Sequence, residues 1–139
     1  MNENHFLLDT NILIYSIDEN SRYFQPVRKL LSDSRYNFLT TTKNISEFLA
    51  VVTKGVPPSL SIASALKTVS DFMRIMVLLY PSKRSFQIFR KMLKYYKPKG
   101  LKIHDFEIIS IALAHDITQV VTIDYKDFSN IKEIELVKI

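Results

Sequence analysis

The 139 residues contain no cysteine, so neither a disulfide framework nor a thiolate metal site can be built. A chain without thiols suits a reducing compartment, and a cytoplasmic location is expected. Glycine is scarce, at two residues, which argues against extended flexible loops. No stretch approaches the ~18 consecutive apolar residues of a membrane span. The longest apolar run, residues 75–80, reads as a buried strand, and no membrane partner is expected. The opening MNENHFLLDT has no basic region, and its apolar run is only Phe6 to Leu8, so it does not read as a signal peptide. Repeats, low-complexity segments and linkers are missing too, and the length fits one domain over residues 1–139.

What is present is an ordinary globular composition, 47% hydrophobic and 24% charged. The formal charge of +5 is compatible with a polyanionic partner and equally with a plain basic surface. Short apolar runs alternate with longer helical patterns. Residues 5–9 read as a buried strand and 10–17 as a short helix with Thr10 or Asn11 near its cap. Pro26 can open a helix to Leu31. Residues 37–41 form a second strand, and Thr42 or Asn44 caps a helix to about Lys54, stopped by Gly55. Residues 60–74 are helical, 75–80 a third strand, and 82–96 a helix ended by KPKG. Residues 103–116 form a periodic helix with an apolar stripe of Ile108, Ile109, Ala112 and Leu113. Residues 120–123 are a fourth strand and 133–138 an edge strand. Strands alternating with helices predict a three-layer α/β/α fold around a mainly parallel sheet. In such sheets ligands bind beyond the carboxyl ends of the strands, near a reversal of strand order.

Four acids have positional meaning in that plan. Asp9 ends the first strand, and Asp124 follows the fourth. Glu47 and Asp105 are expected in the first turns of their helices. Taken singly, each has a plain explanation as a helix cap, a partner of the helix dipole or a turn residue. Taken together, all four fall at one rim of the sheet. Like charges there raise one another's pKa, and a hard divalent cation removes the conflict. Asn11 can hold the Asp9 rotamer, and Thr10 offers a hydroxyl to the same place.

These residues resemble the PIN-domain family, and within it the VapC-type toxins of type II toxin–antitoxin modules. The resemblance lies in FLLDTNILIY, NISEF with Glu47, KIHDFEIISIALA with Asp105, and VVTIDYKDF with Asp124 and Phe128, and covers essentially the whole chain. It implies a PIN-like fold and an acidic quartet of Asp9, Glu47, Asp105 and Asp124, with Asn11 and Thr122 in support. It also implies metal-dependent cleavage of RNA with Mg²⁺ or Mn²⁺ as cofactor. The Phe106-Glu107-Ile108 segment departs from the family's small or aliphatic residues, and residues 56–99 do not align by eye.

The expected chemistry is hydrolysis of a phosphodiester by a metal-activated water. Asp9 and Asp105 are the first candidates for direct ligands, with Asp124 direct or through water and Glu47 a ligand or water-orienting group. Ser46 has no evident base. His104, next to Asp105, reads as a loop histidine, and His5 and His115 lack metal-ligand spacing. Lys43, Lys54, Arg84, Lys99 and Lys102 are candidates for phosphate contacts, and Tyr15, Tyr23, Tyr95, Tyr96 and Tyr125 for base stacking. A toxin requires a protein that blocks its site, so an antitoxin partner is expected, and so is a homodimer. Exposed apolar residues of the 60–74 helix would serve either, or be core. The alternative is a non-catalytic module that keeps the fold to bind nucleic acid or a partner. An aspartyl phosphotransferase would need a second acid where Asn11 stands, and a receiver domain needs a different layout of acids.

Overall fold

The computed structural model describes residues 3–139. Strand β1 (His5–Leu8) is followed by helices α1 (Thr10–Tyr15) and α2 (Phe24–Leu31). Strand β2 (Asn37–Thr41) leads into α3 (Thr42–Val52) and α4 (Ile62–Ile75), and β3 (Met76–Leu79) into α5 (Lys83–Tyr96) and α6 (Lys102–Ala114). Strand β4 (Gln119–Val121), the short α7 (Tyr125–Phe128) and β5 (Glu135–Val137) complete the chain. The strands form one sheet in the order β3-β2-β1-β4-β5. Every pairing is parallel.

The period-2 alternation of strand side chains divides the core in two. Phe6 and Leu8 of β1 point to one face, where they meet Ile12, Val27, Phe48, Ala65, Val69 and Phe72 from α1 to α4. Leu7 points to the other, against Met92 of α5 and Phe106, Ile108, Ile109 and Ala112 of α6. Leu7 and Leu8 are both fully buried, on opposite faces. Burying a leucine stabilises by roughly 1.5–3 kcal/mol, so this dipeptide fastens both helical layers to the central strand. The result is the expected three-layer α/β/α fold.

From β1 the chain moves outward to β2 and β3, then returns to place β4 on the opposite side of β1. The order therefore reverses between β1 and β4, and their carboxyl ends flank the crevice where ligands bind in open parallel sheets. The Asp9 N–H donates to the Val121 carbonyl at 3.0 Å, which ties the end of β1 to the end of β4.

Some local expectations need correction. Asp9, not Thr10 or Asn11, is the N-cap of α1. Thr41 caps α3, and Asn44, three residues on, reciprocates in a capping box. The run at residues 75–80 is not a buried strand: Ile75 ends α4, β3 is an edge strand, and Val77 is 56% exposed. An apolar run alone does not separate a helix end from a strand, nor a central strand from an edge. Helix α6 is more enclosed than a single stripe implies, with Phe106, Ile108, Ile109, Ser110, Ile111 and Ala112 all buried, while Leu113 is only partly so. A helix apolar nearly all round is a core helix.

Candidate active site

Asp9 is 7% exposed at the reversal point. Its Oδ1 accepts from the Thr10 N–H at 2.8 Å, and its Oδ2 accepts from the Thr122 hydroxyl at 2.8 Å. Asn11 Nδ2 lies 3.4 Å from the same Oδ2, 3.1 Å from Thr122 Oγ1 and 3.1 Å from Asp124 Oδ2. Thr122 Oγ1 in turn accepts from the Asp124 N–H at 3.0 Å. Because its hydroxyl proton goes to Asp9, Thr122 is free to accept from both other donors, so one threonine and one asparagine set the positions of two acids.

Glu47 reaches this cluster from the other side. The Thr10 hydroxyl lies 3.5 Å from Glu47 Oε1, a long contact, and accepts from Asn44 Nδ2 at 3.0 Å. Asn44 is fully buried in the Thr41 capping box. The start of α3 thereby positions the start of α1. Glu47 is in the second turn of α3, whose first turn holds no acid, so the helix dipole does not account for it. Asp105 does lie in the first turn of α6, as expected.

Electrostatics bring Asp105 into the same group. Burial, then the charges of Asp9, Asp127 and Glu47, push its carboxyl up to about 7. Burial likewise pushes Asp9 up to about 6 against the hydrogen bonds from Thr122 and Thr10, with Asp124 and Glu47 adding to the rise. Glu47 is also raised, first by burial, although Lys43 and His104 oppose the shift. Asp9, Glu47, Asp105 and Asp124 thus meet at one rim, with Asn11 and Thr122 between Asp9 and Asp124.

Other residues belong to the rim without having been assigned to it. Asp127 is a fifth carboxylate, near enough to raise Asp105. Its spacing of three from Asp124, one helical turn, was the available signal. Asn44, which the sequence offers only as a helix cap, also holds the Thr10 hydroxyl. His104 stands near enough to Glu47 to favour its ionised form, and its Nδ1 is buried without a partner. Lys43 Nζ lies 3.9 Å from Glu107 Oε1.

Among the candidates for nucleic-acid contact, Lys43 and Lys102 are at the rim, Lys102 favouring the ionised form of Asp105. Arg84 is not. Its guanidinium donates to the Ala114 carbonyl and lies 3.6 Å from Asp116, so it closes the far end of α6. Tyr15 feels the charge of Asp124 and packs on Tyr23 at 5.0 Å, placing that pair beside the rim. Tyr96 is structural: it stacks on Phe106 and its hydroxyl bonds Glu133 and the Lys132 N–H.

The donor set suits a hard divalent ion: oxygen atoms only, with Asp9, Glu47 and Asp105 held above the ordinary carboxylate range first by burial and then by neighbouring acidic charge. The buried Asn11 Oδ1, which has no partner, adds a neutral oxygen donor at the same place. Among the described residues no group of three or more His, Asp or Glu side chains is drawn together closely enough to hold a metal ion as it stands. Carboxylates that repel one another have no reason to close upon a point unaided.

The molecule is similar to several solved structures. A chain of VapBC2 from Rickettsia felis, solved bound to a DNA fragment from the promoter, is 20% identical at a TM-score of 0.72, covering 97% of this chain and 98% of that one. A chain of the DNA-bound VapBC from Salmonella typhimurium is 23% identical at a TM-score of 0.70, over 96% and 97%. VapC20 from Mycobacterium tuberculosis, a sarcin-ricin loop cleaving toxin, is 7% identical at a TM-score of 0.68, over 89% and 93%. No curated protein matches the sequence. Residues 6–134 match the family model for the PIN domain, a span that holds all five carboxylates of the rim, and the chain belongs to the PIN-domain family.

Proposed function

We propose that this chain is a metal-dependent endoribonuclease and the toxin of a toxin–antitoxin module, with Asp9, Glu47, Asp105 and Asp124 as its acidic site. The observation that carries the reading is the meeting of Asp9, Asp124 and Glu47 through Asn11, Thr122 and Thr10 at the reversal of strand order, in a chain that matches the PIN-domain model over residues 6–134. Mg²⁺ or Mn²⁺ held by Asp9 and Asp105, with Asp124, would lower the pKa of a water and offset charge on the scissile phosphate. The protein's own residues do the rest. Thr122, the Thr10 N–H and Asn11 fix Asp9, and Asn11 and Thr122 fix Asp124. Glu47, with its raised pKa, is the group suited to orient a water or to take its proton. Lys43 and Lys102 supply positive charge at the rim for a phosphate.

The solved complexes named VapBC support an antitoxin as protein partner. We read the exposed Ile62, Leu66 and Met73 on α4 as the face of a homodimer. We also infer a cytoplasmic location, which a chain without cysteine suits; among the described residues no helix is long and apolar enough to cross a membrane.

The test is cleavage of a labelled single-stranded RNA panel with Mg²⁺, Mn²⁺ or EDTA, wild type beside Asp9→Asn and Asp105→Asn. Metal-dependent cutting that disappears in both folded variants supports the reading. Cutting that persists in Asp105→Asn, or in EDTA, sinks it.

A further inference from the structure

Charge is unevenly distributed along this chain. Residues 72–104 contain nine Lys or Arg and no Asp or Glu. That segment alone exceeds the net charge of +5, so the remainder of the molecule is net acidic. Helix α5 holds most of the excess. Ser85 and Met92 are buried and Ile88, Phe89 and Leu93 pack on the core, leaving Lys83, Gln87, Arg90, Lys91 and Lys94 on the outer face. The positions follow helical periodicity, so they form one stripe, about 20 Å long from end to end of α5. Among the described residues, Arg90, Lys91 and Lys94 make no ion pair. An unneutralised row of like charges costs stability and is retained here without an internal partner.

The direction of the stripe matters more than its charge. Helices α5 and α6 run antiparallel: Arg84 near the start of α5 bonds the Ala114 carbonyl at the end of α6, and Tyr96 at the end of α5 stacks on Phe106 near the start of α6 at 5.2 Å. The stripe therefore runs towards the acidic rim and continues through exposed Lys97 and Lys99 to Lys102, whose charge reaches Asp105. We propose that the α5 stripe is the binding track for the substrate backbone, so that the substrate is an RNA that extends from the acidic rim along α5 rather than a fragment confined to the rim. The acids repel phosphate, and a flanking track of positive charge offsets that repulsion without entering the site. This rests on the ribonuclease reading only for the choice of RNA over another polyanion.

The test is binding, measured in EDTA so that no cleavage occurs. Anisotropy of a labelled single-stranded RNA long enough to span α5 is recorded against KCl concentration. The comparison is wild type, Arg90→Gln/Lys91→Gln/Lys94→Gln, and a control, Arg28→Gln/Lys29→Gln/Lys67→Gln, which removes the same charge away from α5. Each neutralised phosphate on a single strand contributes about 0.7 to the slope of log affinity against log salt, so the α5 triple variant loses about 2 in slope. The control stays near wild type, and a polyglutamate competes poorly with RNA. An unchanged slope in the α5 variant, an equal fall in the control, no binding by wild type, or polyglutamate competing as well as RNA would each overturn the proposal, the last by pointing to an acidic protein partner. RNA held by the stripe yet never cut in the presence of metal counts against the nuclease reading alone. Metal-dependent cutting with binding indifferent to the stripe counts against this inference alone.

Discussion

Replacing Asp105 by asparagine should make the metal-free protein more stable while abolishing its chemistry. Its carboxyl sits at about 7 in the fold against an ordinary 3.8, raised first by burial and then by Asp9, Asp127 and Glu47. A raised acid pKa means that the folded state holds a proton the unfolded state has released. Stability from this group is therefore complete below about pH 4 and is lost as pH rises to 7, after which the deficit is constant. At about 1.4 kcal/mol per unit, the full shift corresponds to roughly 4 kcal/mol. Asp105 is only partly buried, and solvent screening reduces this to about 2 kcal/mol. Asparagine never ionises, and no side-chain hydrogen bond of Asp105 is lost with the change, among the described residues. The variant should therefore melt about 6–8 °C above wild type at pH 8 in EDTA, taking about 3–4 °C per kcal/mol for a domain of this size.

The assay is thermal unfolding of both proteins in EDTA from pH 4.5 to pH 8, read as the difference between them. That difference should be smallest at the acid end, grow until about pH 7, and level off. Added Mn²⁺ should raise the melting temperature of wild type more than that of the variant, since only a ligand that binds the native state stabilises it. A difference that is flat with pH, or a variant less stable than wild type at pH 8, would refute the claim that repulsion and burial at the rim burden Asp105.

Further outcomes follow from the same geometry. Asp9→Asn should not gain stability in parallel, because Asp9 accepts through both oxygens, from the Thr10 N–H and the Thr122 hydroxyl at 2.8 Å, and an amide would turn its NH2 towards one of these buried donors; melting curves beside those of Asp105→Asn check this. Cleavage should rise with pH between about 5 and 8, because carboxyls at about 6 and about 7 must lose protons before they bind a cation; a profile that falls across this range with Mn²⁺ saturating contradicts the assignment. Asn44→Ala should cost about 1 kcal/mol through the lost capping box and lower kcat as well, since Asn44 holds the Thr10 hydroxyl; denaturant titration and single-turnover cleavage separate the two effects.

The fold was legible because its two periodicities are clean. FLLD and NFLTT read as strands, and the long apolar-periodic stretches between them leave a parallel sheet as the economical arrangement. Errors fall where local pattern carries no information about neighbours. Residues 75–80 are uniformly apolar, yet Met76 and Leu79 reach the core while Val77 is 56% exposed, because β3 is an edge strand that pairs only with β2 among the described residues. Helix α6 read as one apolar stripe, but it lies beneath α5 and against the sheet, which encloses it on several sides. Which strand lies at an edge and which helix is covered are decided by the order of the sheet, a property of the whole chain.

The rim shows the same division more sharply. Asp9 and Asp124 declare themselves by position, since an acid directly after a buried strand needs a partner wherever the fold places it. Glu47 and Asp105 follow once both helices are known to begin at that rim. What position alone could not express is the linkage among them: Asn44 in the cap of α3 holds Thr10, Thr10 touches Glu47, and Asn11 spans Asp9, Thr122 and Asp124. Asp127 was hidden because a turn residue and a fifth carboxylate have the same signature in one dimension, and only its effect on Asp105 distinguishes them. Strand ends thus mark where acids gather, whereas the neutral side chains that set their spacing become visible only when the ends of β1, β2 and β4 are brought together.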